Sequence, residues 1–158
     1  MVNSPIKSPL SDSDREVTGN ALQSTLVDLV DLSLIAKQAH WNVVGANFRS
    51  AHLQLDELVD TARQYVDAVA ERANAIGISP NGKAKTVVAS SGVPEYPDNW
   101  QSVESTVAAI VDILGAMIAR LRKWIDETDK SDLVTQDLLI EITQELEKAH
   151  WMWQAQQA

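Results

Sequence analysis

His40 and His52 lie equally far from Ala46, so an antiparallel hairpin turning there brings two imidazoles side by side. His52 and Asp56 are spaced i, i+4, and so are Asp67 and Glu71. Residues at that spacing stack on one helix face. At about 100° per residue all four fall within a single stripe. Imidazoles and carboxylates without thiolate suit ferrous iron, manganese or zinc. The chain has no cysteine, which excludes disulfides, thiolate metal sites and a cysteine nucleophile.

One helix cannot deliver both pairs to one ion. The pairs are centred 15 residues apart, roughly 22 Å at 1.5 Å per residue, and metal–ligand bonds are only about 2.0–2.2 Å. If the same helix of a second copy packs antiparallel across a two-fold axis near residues 61 and 62, the geometry changes. His52 and Asp56 of one copy then face Asp67 and Glu71 of the other, giving two identical sites per dimer. Asp60 and Arg63 lie on the same stripe beside that axis, where they could pair across it. The competing reading is a plain helical scaffold, with ordinary charges on a solvated face and structural histidines.

The elements that must position these residues are all helical. Ser13 followed by Glu16 has capping-box spacing, and Leu22, Leu26, Leu29 and Ala36 recur at helical intervals after it. Gly45 and Asn47 break that helix. A second is expected from Phe48 to Ile76, closed by Gly77, with Leu55, Leu58, Ala62, Tyr65, Val66 and Val69 on its apolar side. Residues 77–99 hold most of the remaining glycines and prolines, with Ala84–Ser90 readable as a short helix or as loop. Val103, Val107, Ile110, Leu114, Met117, Leu121 and Trp124 then form a bundle seam. Asp126–Ser131 interrupts it, and a last helix runs from about Asp132 to Trp153. No strand pattern competes. Hairpin, long crossover, hairpin is the ferritin-like, all-α four-helix-bundle arrangement, with the short extra helix in the crossover. Residues 1–12 read as a flexible N-terminal tail, and 13–158 as one domain.

The stretch Lys37-Gln38-Ala39-His40-Trp41-Asn42-Val43-Val44-Gly45-Ala46-Asn47-Phe48 resembles the first-helix motif of Dps proteins, the mini-ferritins known as DNA-binding proteins from starved cells. His52, Leu55-Asp56-Glu57, Asp67 and Ala70-Glu71-Arg72-Ala73 continue the likeness. The resemblance implies a hollow homododecamer that oxidises ferrous iron, usually with hydrogen peroxide, and stores the ferric product. It also implies that His40, His52 and Asp56 of one subunit, with Asp67 and Glu71 of its mate, form the iron-oxidising site. The spacing argument reaches the same inter-subunit geometry independently.

Other residues carry two readings each. Trp41 adjoins His40, where an electron-donating role competes with packing or interface burial. His150 reads as a second metal ligand or as a helix C-terminal cation. Asp126, Asp129, Asp132 and Asp137 cluster at the last turn. In Dps-like shells such acids line three-fold pores and draw cations inward, and the plain alternative is an acidic loop with helix N-terminal charges. Glu141 and Glu145 are candidates for nucleating mineral, with their facing unassigned.

With 22 acidic and 13 basic residues the formal charge is −9, which argues against a phosphate-neutralising surface. Residues 1–16 hold Lys7 and Arg15 against Asp12, Asp14 and Glu16, and the last ten residues hold no lysine or arginine. Weak or absent DNA binding is therefore expected. The nucleoid-compacting DNA binder remains the alternative class. The start of the chain lacks a signal-peptide core, and the longest charge-free apolar run, Ile113–Ala119, is too short to span a bilayer. Cytoplasmic residence is the expectation.

Overall fold

The computed structural model describes residues 4–157. Five helices follow in order: α1 (Asp12–Asn42), α2 (Phe48–Ala75), α3 (Ala84–Ser90), α4 (Val103–Thr128) and α5 (Leu133–Gln154), with a final 3-10 turn over Ala155–Gln157. The two hairpins, α1–α2 and α4–α5, are joined by the long crossover that contains α3. The short stretch left open between helix and loop is therefore helical. Val43–Val44 and Gln101–Ser102 add a parallel bridge, Val43 opposite Gln101, between the first turn and the end of the crossover. Two residues are too few to show a period-2 pattern, which is why no strand was expected.

The bundle core is the set of apolar stripes read from the sequence. Leu22, Leu26, Leu29 and Ala36 of α1 are buried, as are Leu55, Leu58, Ala62, Tyr65 and Val69 of α2. Val107, Ile110, Leu114, Met117 and Leu121 of α4 meet Leu139, Ile142, Leu146 and Trp153 of α5 in the same core. Val103 and Trp124, at the ends of the α4 seam, are only partly buried. Among the described residues no helix is long and apolar enough to cross a membrane.

The helix ends show how local chemistry sets the boundaries. α1 is capped by Ser11, whose hydroxyl accepts from the Asp14 amide at 3.2 Å, two residues before the expected Ser13. Ser11 and Asp14 have the same spacing as Ser13 and Glu16, and capping there adds a half turn of helix. α2 ends in a Schellman motif. The Ile78 amide donates to Ala73 O and the Gly77 amide to Asn74 O, both at 2.9 Å, with Gly77 at φ +78°. Of the expected tail, residues 1–3 lie outside the described residues. In the following segment Leu10 packs on the core, and a Cβ on Gly77 would fall 2.9 Å from the Ile6 carbonyl oxygen.

Two buried carboxylates clamp the bundle. Asp28 of α1 accepts from Arg120 Nε of α4 at 2.7 Å and from the Gly92 amide at 2.9 Å, so it ties the crossover to two helices. Asp132 caps α5 through the amides of Val134 and Thr135 and pairs with Arg72 near the end of α2. Burial pushes the Asp132 carboxyl up, but hydrogen bonds from Thr135 and Arg72 outweigh it and hold the group below the usual carboxylate range. The linkage sign follows: this stabilisation is present above the unfolded value of about 3.9 and fades as pH falls through the lower folded value. Asp132→Ala is expected to cost about 2–4 kcal/mol at neutral pH, combining a lost cap with a broken, mostly buried ion pair. Thermal unfolding checks this, and the gap from wild type should narrow as pH falls below the unfolded carboxyl value of about 3.9.

Candidate metal centre

The α1–α2 turn brings the two histidines together as the spacing predicts. Gly45 at φ +110° and Asn47 at φ +60° let the chain reverse within a few residues. His40 and His52 then stack, with ring centroids 3.6 Å apart and planes inclined by 23°. Each ring is fixed by the other residue's backbone: His40 Nδ1 lies 2.8 Å from the His52 carbonyl oxygen, and His52 Nδ1 lies 2.9 Å from the His40 carbonyl oxygen. A carbonyl only accepts, so both Nδ1 atoms carry the proton. In the neutral rings this tautomer leaves both Nε2 atoms as lone-pair donors, the form in which imidazole binds a metal. His40 is buried and His52 half-buried, and Phe48 packs edge-on against His52.

Asp56 sits one turn beyond His52. Its Oδ1 is 3.2 Å from His40 Nδ1 and 2.6 Å from Lys37 Nζ. The Lys37 hydrogen bond is the main influence on this carboxyl, and with the charge interactions it holds the group below the usual range against a smaller opposing effect of burial. Lys37 was not singled out as a functional residue in the sequence. The hairpin symmetry that pairs the histidines also predicts it, because Lys37 and Asp56 are centred within half a residue of Ala46.

Asp67 and Glu71 lie exposed further along α2. Among the described residues, no three histidine or acidic side chains converge into a metal-holding group. A single chain thus stacks His40 on His52, holds Asp56 beside His40 but turned toward Lys37, and keeps Asp67 and Glu71 apart from them. Trp41, next to His40, is 66% exposed and makes little use of packing within its own chain.

The remaining candidates divide. Asp126, Asp129 and Asp137 are exposed, whereas Asp132 is committed to its cap and to Arg72. His150 rests over Gly115 of α4, where a Cβ would lie 3.7 Å from its Nε2. Glu141 accepts from the Tyr65 hydroxyl at 3.1 Å, and the phenol is pushed up to about 12, by burial first and then by this carboxylate. Glu145 pairs with Lys148.

The Ferritin family model, described as a ferritin-like domain, matches residues 19–158. The "DNA protection during starvation protein" of Mycolicibacterium smegmatis is 37% identical over 146 residues, covering 92% of this chain and 80% of that protein. The chain belongs to the Dps family. Solved structures agree. Mycobacterium smegmatis Dps in a tetragonal form superposes with a TM-score of 0.92 at 35% identity, covering 98% of this chain and 94% of that one. Dps from Microbacterium arborescens, solved "in the high iron form", gives 0.89 at 29% identity, covering 95% and 97%. Dps relatives thus share the bundle and its connectivity over nearly the whole chain.

A cation that takes Asp56 as a ligand must draw it from Lys37. Lys37→Met is therefore expected to tighten Zn²⁺ binding by about two- to fivefold, the range for an exposed ion pair. Calorimetric titration of the assembled protein measures it.

Proposed function

We propose that this Dps-family chain is a mini-ferritin that oxidises ferrous iron at sites shared between two subunits and stores the ferric product inside a hollow dodecamer in the cytoplasm. Family membership supports iron storage and DNA protection as the general role, and ferritin-like Dps proteins generally oxidise iron. The observation that carries the site is the reciprocal imidazole–carbonyl pairing of His40 and His52, which engages both Nδ1 atoms and leaves Nε2 of the neutral rings for a metal, with an ionised Asp56 on the Nδ1 side of His40. His52 and Asp56 at one end of α2, with His40 at the end of α1, and two carboxylates further along α2 form complementary halves. Antiparallel pairing of two copies supplies Asp67 and Glu71 to each trio.

The substrate is Fe(II), with hydrogen peroxide as oxidant. Two ferrous ions each give up one electron, the O–O bond breaks, two protons are taken up and two waters form. Two ferric ions result. A two-electron route avoids the one-electron step that releases hydroxyl radical. Asp56, Asp67 and Glu71 stabilise the higher charge of the product, as hard oxygen ligands do. Exposed Asp126, Asp129 and Asp137 are the candidates for a cation-attracting pore, and Trp41 for an auxiliary electron donor.

Protection of DNA here does not rest on tight DNA binding. Arg15 is paired with Asp12 at 2.9 Å, and among the described residues of the N-terminal segment Lys7 is the other basic side chain. A mobility-shift assay at moderate ionic strength is expected to show no retarded complex, and a shifted band would favour the nucleoid-compacting reading.

The iron reading has a direct test. Ferrous iron and peroxide are mixed anaerobically, and ferric absorbance is followed. His52→Ala with Asp56→Ala, and separately Asp67→Ala with Glu71→Ala, are each expected to slow the initial rate by about tenfold or more. Wild-type rates in both variants would remove these residues from the site.

A further inference from the structure

The proposed ligand pairs share one centre. His52 with Glu71, and Asp56 with Asp67, are both centred between residues 61 and 62. Asp60 and Arg63 have that same centre. Val59 and Ala62 turn into their own bundle and are buried, whereas Asp60 and Arg63 are exposed. The i, i+3 spacing permits a pair within one chain, yet among the described residues neither side chain takes part in an ion pair. Arg15, Arg72, Arg120 and Arg122 all do.

The charge along this exposed row poses a problem for self-association. Asp56, Asp60, Asp67 and Glu71 are acidic, Arg63 is the basic residue between them, and Arg49 lies on the row only at its N-terminal end. Two copies meeting face to face would oppose eight carboxylates, of which only the two Asp56 groups are already paired, each with Lys37 of its own chain. Arg63 is the cation nearest the axis, and it stands opposite Asp60 twice, once on each side. We propose that reciprocal Asp60–Arg63 ion pairs between two copies of this chain set the register of the α2–α2 interface before metal binds.

The register matters because alternatives one turn away lose the site. Sliding one turn toward the C-terminal end opposes Asp60 to Asp67 and Asp56 to Glu71, like against like. Sliding the other way consumes Asp56 on Arg63 and leaves Glu71 opposite Phe48. Of these three registers, only the centred one pairs opposite charges at the axis while presenting Asp67 and Glu71 to His40, His52 and Asp56. Asp60 and Arg63 lie about 2 Å from the axis along the helix, so they act on position and touch no metal.

This inference rests on the shared-site reading, and charge reversal separates the two. The full-length protein is sized by light scattering and titrated with Co²⁺, whose visible absorption reports its ligands. Asp60→Arg and Arg63→Asp each place like charges together at the axis. Each is expected to yield lighter particles and at least about tenfold weaker Co²⁺ binding. The double swap Asp60→Arg with Arg63→Asp restores opposite charges and is expected to regain the wild-type mass and affinity. A merely intrahelical role would not move particle mass. Arg63→Gln, a milder change, is expected to weaken Co²⁺ binding in the same direction. Wild-type mass and affinity in the single variants, or a folded double swap that stays light, would overturn the inference and leave the shared site standing. A monomeric wild type that binds no Co²⁺ would overturn both.

Discussion

Two hydrogen bonds between imidazoles and backbone carbonyls hold the functional end of this protein together. Each crosses the α1–α2 hairpin, so each is at once a tertiary contact and a determinant of ring chemistry. The backbone groups involved sit in helix, where a carbonyl has a second lone pair to offer. The same contacts that align the two helices therefore select the tautomer of both rings. Misalignment of the hairpin by one residue would break both bonds and free both rings, so packing accuracy and ligand readiness are coupled.

The rest of the bundle keeps that hairpin straight. Asp28 and Asp132 are buried carboxylates, and each is satisfied by an arginine and by backbone amides. Such groups cost more when half-paired than they add when fully paired, so they make slipped packings unfavourable rather than deepening the native one. Asp28 joins the crossover to α1 and α4. Asp132 and Arg72 join the end of α2 to the α4–α5 turn, one residue from Glu71. The position of Glu71 along the bundle is therefore set by a clamp on its neighbour.

Much of this was legible in the sequence, because the relevant signals are periodic or symmetric. The apolar stripes gave the four long helices, Gly45 and Gly77 gave their ends, and equal distance from Ala46 gave the stacked histidines. What escaped had no period to reveal it. The Val43–Gln101 bridge is two residues long. Ser11 and Ser13 offer equivalent caps, and packing of the preceding segment near Gly77 lies beyond any local pattern. Asp132 looked like one acid among four at the last turn, and only its geometry shows that it is spent on a helix cap and Arg72. Lys37 is not a metal-ligating residue type, so only the hairpin symmetry that sets it opposite Asp56 marks it.

The 15-residue separation of the two ligand pairs on α2 has a genetic consequence. Under the proposed pairing, each subunit lends one end of the helix to one site and the other end to a second. Lesions in His52 and lesions in Glu71 would then fall in different complementation groups within a single gene. A dimer combining one of each would carry one intact site and one doubly damaged site. Mixed shells would thus recover activity that neither parent possesses, and inheritance of the defect would depend on which end of the helix was hit.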